Sequence, residues 1–145
     1  MSRPLLDVNV LLALLDFEHA SHGAARRWFQ EQRHGGWATC VHTQAGFVRI
    51  SAQTSGGREA IAKSLEALRH MCASPLHEFW SEDFELSEIP ELIRSRLQGH
   101  GQITDAVLLT LAIRRGGKLA TFDRGICNLL PADSPHQAAI EVIPV

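Results

Sequence analysis

Three aspartates stand where apolar segments end or begin. Asp7 follows Leu5-Leu6, Asp105 follows Ile103-Thr104 ahead of an apolar run, and Asp123 closes Leu119-Ala120-Thr121-Phe122. Ligands of open parallel sheets bind outside the carboxyl ends of the strands, so Asp7 and Asp123 are expected to share one edge. A helix opening near Thr104 adds Asp105 to that edge. Three carboxylates brought together repel one another and hold protons more tightly unless a cation lies between them. With all-oxygen donors and no histidine or cysteine in equivalent positions, the matching cation is hard: Mg²⁺ or Mn²⁺. Taken singly, each aspartate has a plainer explanation: a helix cap at Asp7, a first-turn acid at Asp105, a turn at Asp123-Arg124-Gly125. Their recurrence in one kind of setting favours the shared site. Asp7 also interrupts core-like sequence between Leu6 and Val8, which costs stability unless the carboxyl finds a partner.

The elements that must position these residues follow from the alternation of short apolar runs with longer helical patterns, the sequence form of βαβ units. Strands are expected at Pro4–Asp7, Trp37–Cys40, His77–Trp80, Lys118–Phe122 and Ala139–Ile143. Val8–Leu15 and Asp105–Ile113 are apolar on nearly every side and should be central, buried helices. Surface helices are expected from Ser21 to Arg33, ending at Gly35-Gly36, over Thr43–Ala52, and in a shorter stretch over Glu91–Gln98. After Gly56-Gly57, Ile61, Leu65, Leu68 and Cys72 make an i, i+4, i+7, i+11 stripe over Arg58–Ala73. That stripe suits either this chain's own core or a helical partner. The fold class is therefore α/β, a three-layer α/β/α sandwich around a mainly parallel sheet of four or five strands.

At 145 residues with 45% apolar content, and without repeats or long linkers, residues 1–145 read as one domain. With 14 Lys and Arg against 16 Asp and Glu, the formal charge is −2. No global basic field attracts a polyanion, so nucleic-acid binding must rest on a local patch. Three widely spaced cysteines, Cys40, Cys72 and Cys127, form no C-x-x-C pair, which argues against a disulfide framework and for a reducing, cytoplasmic setting. The apolar segment Leu5 to Leu15 is too short and too polar for a membrane span, and it lacks the small-residue cleavage site of a signal peptide. The eight histidines make no H-E-x-x-H pair and read as surface residues.

The segment Leu6-Asp7-Val8-Asn9-Val10-Leu11-Leu12-Ala13-Leu14 resembles the opening motif of PIN domains. Thr104-Asp105-Ala106, with Leu109 and Ala112, resembles their third acidic motif, and Leu119-Ala120-Thr121-Phe122-Asp123-Arg124 their fourth. Ala38-Thr39-Cys40 and Gly46-Phe47-Val48-Arg49-Ile50 look like the second motif of VapC-type toxins. The resemblance implies Mg²⁺ or Mn²⁺ at the acidic cluster, endonucleolytic hydrolysis of RNA, homodimers, and a VapB-type antitoxin that neutralises the enzyme. On this resemblance Asp7, Asp105 and Asp123 are metal ligands, with Asn9 and Thr121 orienting them from behind. Candidate phosphate contacts are Arg49, Arg114, Arg115 and Arg124.

One position departs from that pattern. Where the family's second motif has glutamate, this chain has Gln44 in Thr43-Gln44-Ala45-Gly46. Gln44 is counted among the catalytic positions with Asp7, Asp105 and Asp123, yet glutamine offers a carbonyl oxygen without charge. This supports a rival reading, a PIN fold that binds antitoxin or RNA without cutting. An aspartyl-nucleophile phosphohydrolase would want a second acid two positions after Asp7, where the chain has Asn9. A phosphoacceptor signalling domain would want a lysine near the end of its last strand, and none is persuasive.

Overall fold

The computed structural model describes residues 2–145. Its strands are β1 (Pro4–Leu6), β2 (Trp37–Thr39), β3 (His77–Phe79), β4 (Lys118–Thr121) and β5 (Ile140–Val142). They form one sheet in the order β3-β2-β1-β4-β5, and every neighbouring pair is parallel. A parallel pair cannot be closed by a tight turn, so each connection crosses over, and the crossing helices cover both faces. These helices are α1 (Val8–Leu15), α2 (His22–Gln32), α3 (Val41–Ser55), α4 (Gly57–Cys72), α5 (Glu91–Arg94) and α6 (Ile103–Arg114).

Successive strand residues point to opposite faces, and here both faces are buried. Leu5, Ala38 and Leu119 pack with Ile93 of α5 and with α6, whereas Leu6, Trp37 and Ala120 pack with Val10 of α1, Trp28 of α2, Phe47 of α3 and Leu68 of α4. Gly46 lets α3 lie close on α1: a Cβ there would stand 2.6 Å from Val8 Cγ2. From β1 the chain winds outward through β2 and β3 on one side, and on the other side β4 and β5 complete the sheet. The winding therefore changes direction between β1 and β4, the kind of point at which open α/β sheets bind ligands outside the carboxyl ends of their strands.

The expected α/β/α sandwich is present with five strands, each shorter than its apolar run in the sequence. The expected helix over Glu91–Gln98 is one turn, Glu91–Arg94. Short 3-10 helices at Arg124–Leu129 and Pro135–Ala139 carry no sequence periodicity that announces them. Among the described residues no helix is long and apolar enough to cross a membrane.

Candidate metal centre

Asp7 leaves β1 with its backbone N–H on Ala120 O of β4, at 3.0 Å. Its side chain then caps α1, with Oδ1 accepting from Val8 N at 2.7 Å. The helix cap expected at Asp7 is thus present. Its other oxygen, Oδ2, accepts from Thr121 Oγ1 at 2.7 Å. Thr121 is fully buried. Its hydroxyl in turn accepts from Asn9 Nδ2 at 3.1 Å and from Asp123 N at 3.0 Å. Asn9 Oδ1 accepts from Phe122 N at 3.2 Å, and Asp123 Oδ1 accepts from Gly125 N at 2.8 Å. Asn9 and Thr121 therefore tie the start of α1 to the end of β4 and fix where the carboxylates of Asp7 and Asp123 begin.

Asp105 comes from the first turn of α6 and is half-buried. Its carboxyl is pushed up to about 6, first by burial and then by the negative charges of Asp7 and Asp123. Burial also raises Asp7, against the lowering bonds from Thr121 and Val8, and the charge of Asp123 raises it further. The three aspartates therefore share one electrostatic environment at the switch point, and Asp105 has no hydrogen-bond donor among the described residues.

The donor set fits a hard divalent ion: carboxylates only, mutually repelling, one without a protein donor. Among the described residues no three His, Cys, Asp or Glu side chains already close into a ligand cage. Each aspartate still keeps acceptor capacity beyond its protein bonds, because a carboxylate offers about four lone-pair positions. A divalent ion held here would keep part of its water shell.

Gln44 stands in the first turn of α3. Its Nε2 donates to Thr39 Oγ1 at 3.0 Å and lies 3.8 Å from Cys72 Sγ, and the side chain makes no hydrogen bond to any of the three aspartates. Thr39 Oγ1 is also 2.7 Å from His77 Nε2, so Gln44 completes a polar knot between α3, α4 and β3. It lines an apolar groove of about 620 Å³ between α3 and α4, together with Val48, Arg49, Ile61, Leu65 and Leu68.

The four candidate arginines do not gather around the carboxylates. Arg124 directly follows Asp123, and Arg49 lies in the α3/α4 groove. Arg114 and Arg115 lie at the other end of α6 from Asp105. They end α6 while Asp105 begins it, and nine or ten residues at 1.5 Å per residue put them roughly 14 Å away along the axis, toward the amino edge of the sheet. Their side chains are engaged by the segment that follows β3, Arg114 over the Phe84 ring at 5.2 Å and Arg115 donating to Ser81 O at 3.0 Å. Sequence reasoning missed the pair His42 and Glu82 at the carboxyl edge, forty positions apart and individually ordinary.

A parallel five-stranded sheet with three aspartates at its switch point defines a class of acid-cluster α/β protein, and the profile of the PIN domain matches residues 5–129. The chain belongs to the PIN-domain family. Its relatives include ribonuclease VapC44 of Mycobacterium tuberculosis, 43% identical over 125 residues, spanning 86% of this chain and 88% of that protein. Ribonuclease VapC39 of the same organism is 39% identical over 141 residues, spanning 96% and 98%. The crystal structure of Mycobacterium tuberculosis VapC20, described as a sarcin-ricin loop cleaving toxin, superposes with a TM-score of 0.62 over 97% of this chain and 98% of that one. At 16% identity that likeness speaks to the fold.

Proposed function

We propose that this chain is a metal-dependent endoribonuclease, the toxin of a VapBC-type pair, acting in the cytoplasm as a single domain of residues 1–145. The observation that carries the reading is Asp105, half-buried, without a hydrogen-bond donor, and raised to about 6 by burial and by Asp7 and Asp123. Its PIN-domain membership and its relatives named ribonuclease VapC support the same reaction.

Asp7, Asp105 and Asp123 would hold Mg²⁺ or Mn²⁺. A bound divalent ion makes a water more acidic and offsets charge on the phosphodiester. The chain's own residues do the positioning. Thr121 holds Asp7, Asn9 holds Thr121 and the Phe122 N–H, and Asp123 is turned by its bond to Gly125 N. Arg124 is the cation best placed beside the cluster to meet a phosphate. The rival reading, binding without cutting, rests on the charge missing at Gln44; the charge effects of Asp7 and Asp123 on Asp105 support the catalytic reading over it.

The partner we assign to the α3/α4 groove is the apolar face of a VapB-type antitoxin helix, a common mode of groove binding. Ile61 and Leu65 rim the groove at 42% and 55% exposure, and Arg49 lies in it without an ion pair among the described residues, which suits an acidic side chain on that helix. Homodimerisation is part of the same proposal.

Mn²⁺ titration by calorimetry beside cleavage of a structured RNA, with Asp105→Asn as control, tests the reading. Metal-dependent cleavage lost in the variant is expected. RNA binding without cleavage by freshly purified protein would overturn the catalytic assignment in favour of the rival.

A further inference from the structure

The acidic centre has to receive a polyanion, and only Arg124 among the four candidate arginines adjoins it. A histidine held by a carboxylate stands across β2. β1 and β2 pair with Leu5 opposite Ala38, and continuing that register two residues sets Cys40 beside Asp7. The Cys40 thiol, pushed up to about 11 chiefly by burial, also feels a hydrogen bond and the charge of Glu82. Glu82, whose side chain is only 13% exposed, accepts from the His42 backbone N–H at 3.3 Å through Oε1 and meets the His42 ring at Nδ1 through Oε2. One carboxylate therefore grips both backbone and ring of the second residue of α3. Glu82, Cys40 and Asp7 follow one another along the strand-end edge, within about two strand spacings, roughly 10 Å.

The ring's other nitrogen has no protein partner among the described residues, and the His42 side chain is 47% exposed. His70 also meets a carboxylate, Glu66, but on the exposed outer surface of α4. A histidine held at Nδ1 by a nearly buried carboxylate loses its rotational freedom and presents Nε2 in a fixed direction. When that nitrogen carries a proton it is a charge-assisted donor for a phosphate oxygen.

We propose that His42, oriented by Glu82, is an RNA phosphate contact on the β2 side of the acidic centre. This rests on the ribonuclease reading for the identity of the polyanion. Glu82 is a positioning residue, and His42 is the group that touches substrate.

The test is binding of a fluorescent single-stranded RNA by the full chain in EDTA over a range of salt, beside Mn²⁺-dependent cleavage by the same preparations. His42→Gln is expected to weaken binding at least threefold and to flatten the salt dependence, because one counterion-releasing contact is gone. His42→Arg should restore most of both, and Glu82→Gln should fall between wild type and His42→Gln, with the circular dichroism of all variants unchanged. Wild-type affinity and salt slope in His42→Gln would overturn the proposal, as would a wild type that does not bind RNA. If wild type binds but never cleaves, the ribonuclease reading fails while a His42 effect on binding still upholds the contact.

Discussion

Thr121 Oγ1 donates to Asp7 Oδ2 at 2.7 Å, across 114 positions of sequence, and so joins the last residue of β4 to the carboxylate that ends β1. Both residues are buried, so the hydroxyl answers the desolvation of the acid it touches.

Thr121→Val keeps the shape and deletes that donor. A buried acceptor left without its donor costs about 1–3 kcal/mol, and the Asn9 and Asp123 N–H groups lose their acceptor as well. Urea unfolding should show a loss in that range for Val and a much smaller one for Thr121→Ser. RNA cleavage should drop with Val and survive with Ser. Equal stability of wild type and Thr121→Val would mean that the hydroxyl does not support Asp7.

The pH dependence follows from Asp105, raised to about 6 by burial and by Asp7 and Asp123. A carboxyl with a higher pKa folded than unfolded binds protons more readily when folded. Its contribution to stability is complete below about pH 4 and is lost as pH rises to about 6. Thermal melts in EDTA should therefore show Asp105→Asn gaining on wild type between those pH values. Mn²⁺ should raise the wild-type midpoint at pH 7.5 and much less at pH 5, since ligands must be ionised to bind. A metal-induced shift as large at pH 5 as at pH 7.5 would contradict ligation by this carboxyl.

The sequence disclosed the carboxylates because each stands where an apolar run ends or begins, and Asp7, the buried one, is conspicuous between Leu6 and Val8. Asn9 and Thr121 followed from the same segments. For the arginines, proximity in sequence to a motif says nothing of direction: α6 runs from the carboxyl edge to the amino edge and carries the backbone of Arg114 and Arg115 away from Asp105. Gln44 illustrates a different limit. Its position on α3 was legible, but its direction depends on Thr39, Cys72 and His77, which the fold gathers from three other elements. The pairing of His42 with Glu82 is of the same non-local kind.

Gln44→Glu sharpens that point. The substitution replaces the donor to Thr39 Oγ1 with a carboxylate, for which the Thr39 hydroxyl can turn to donate. A fourth negative charge near the cluster attracts a divalent ion even across partly wet protein. Calorimetry should show Mn²⁺ affinity rising severalfold, with faster cleavage. Unchanged affinity and rate would mean that residue 44 stays in the α3/α4 knot and takes no part in holding the metal.

The amphipathic face of α4 separates two roles that the sequence stripe combined. The buried line is Ala60, Ser64 and Leu68, whereas Ile61 and Leu65 rim the groove at 42% and 55% exposure. Leu68 packs beneath the sheet with Trp37 and Phe47, so Leu68→Ala should cost about 2–4 kcal/mol through lost burial and the cavity left behind. Ile61→Asp with Leu65→Asp removes apolar surface that is already half in water and should change stability by about 1 kcal/mol or less. The double variant should therefore fold normally by circular dichroism, yet lose binding of an antitoxin peptide or self-association in sedimentation. If it instead unfolds, both side chains belong to the core. If it folds and still binds and self-associates as wild type does, the groove is not the interface.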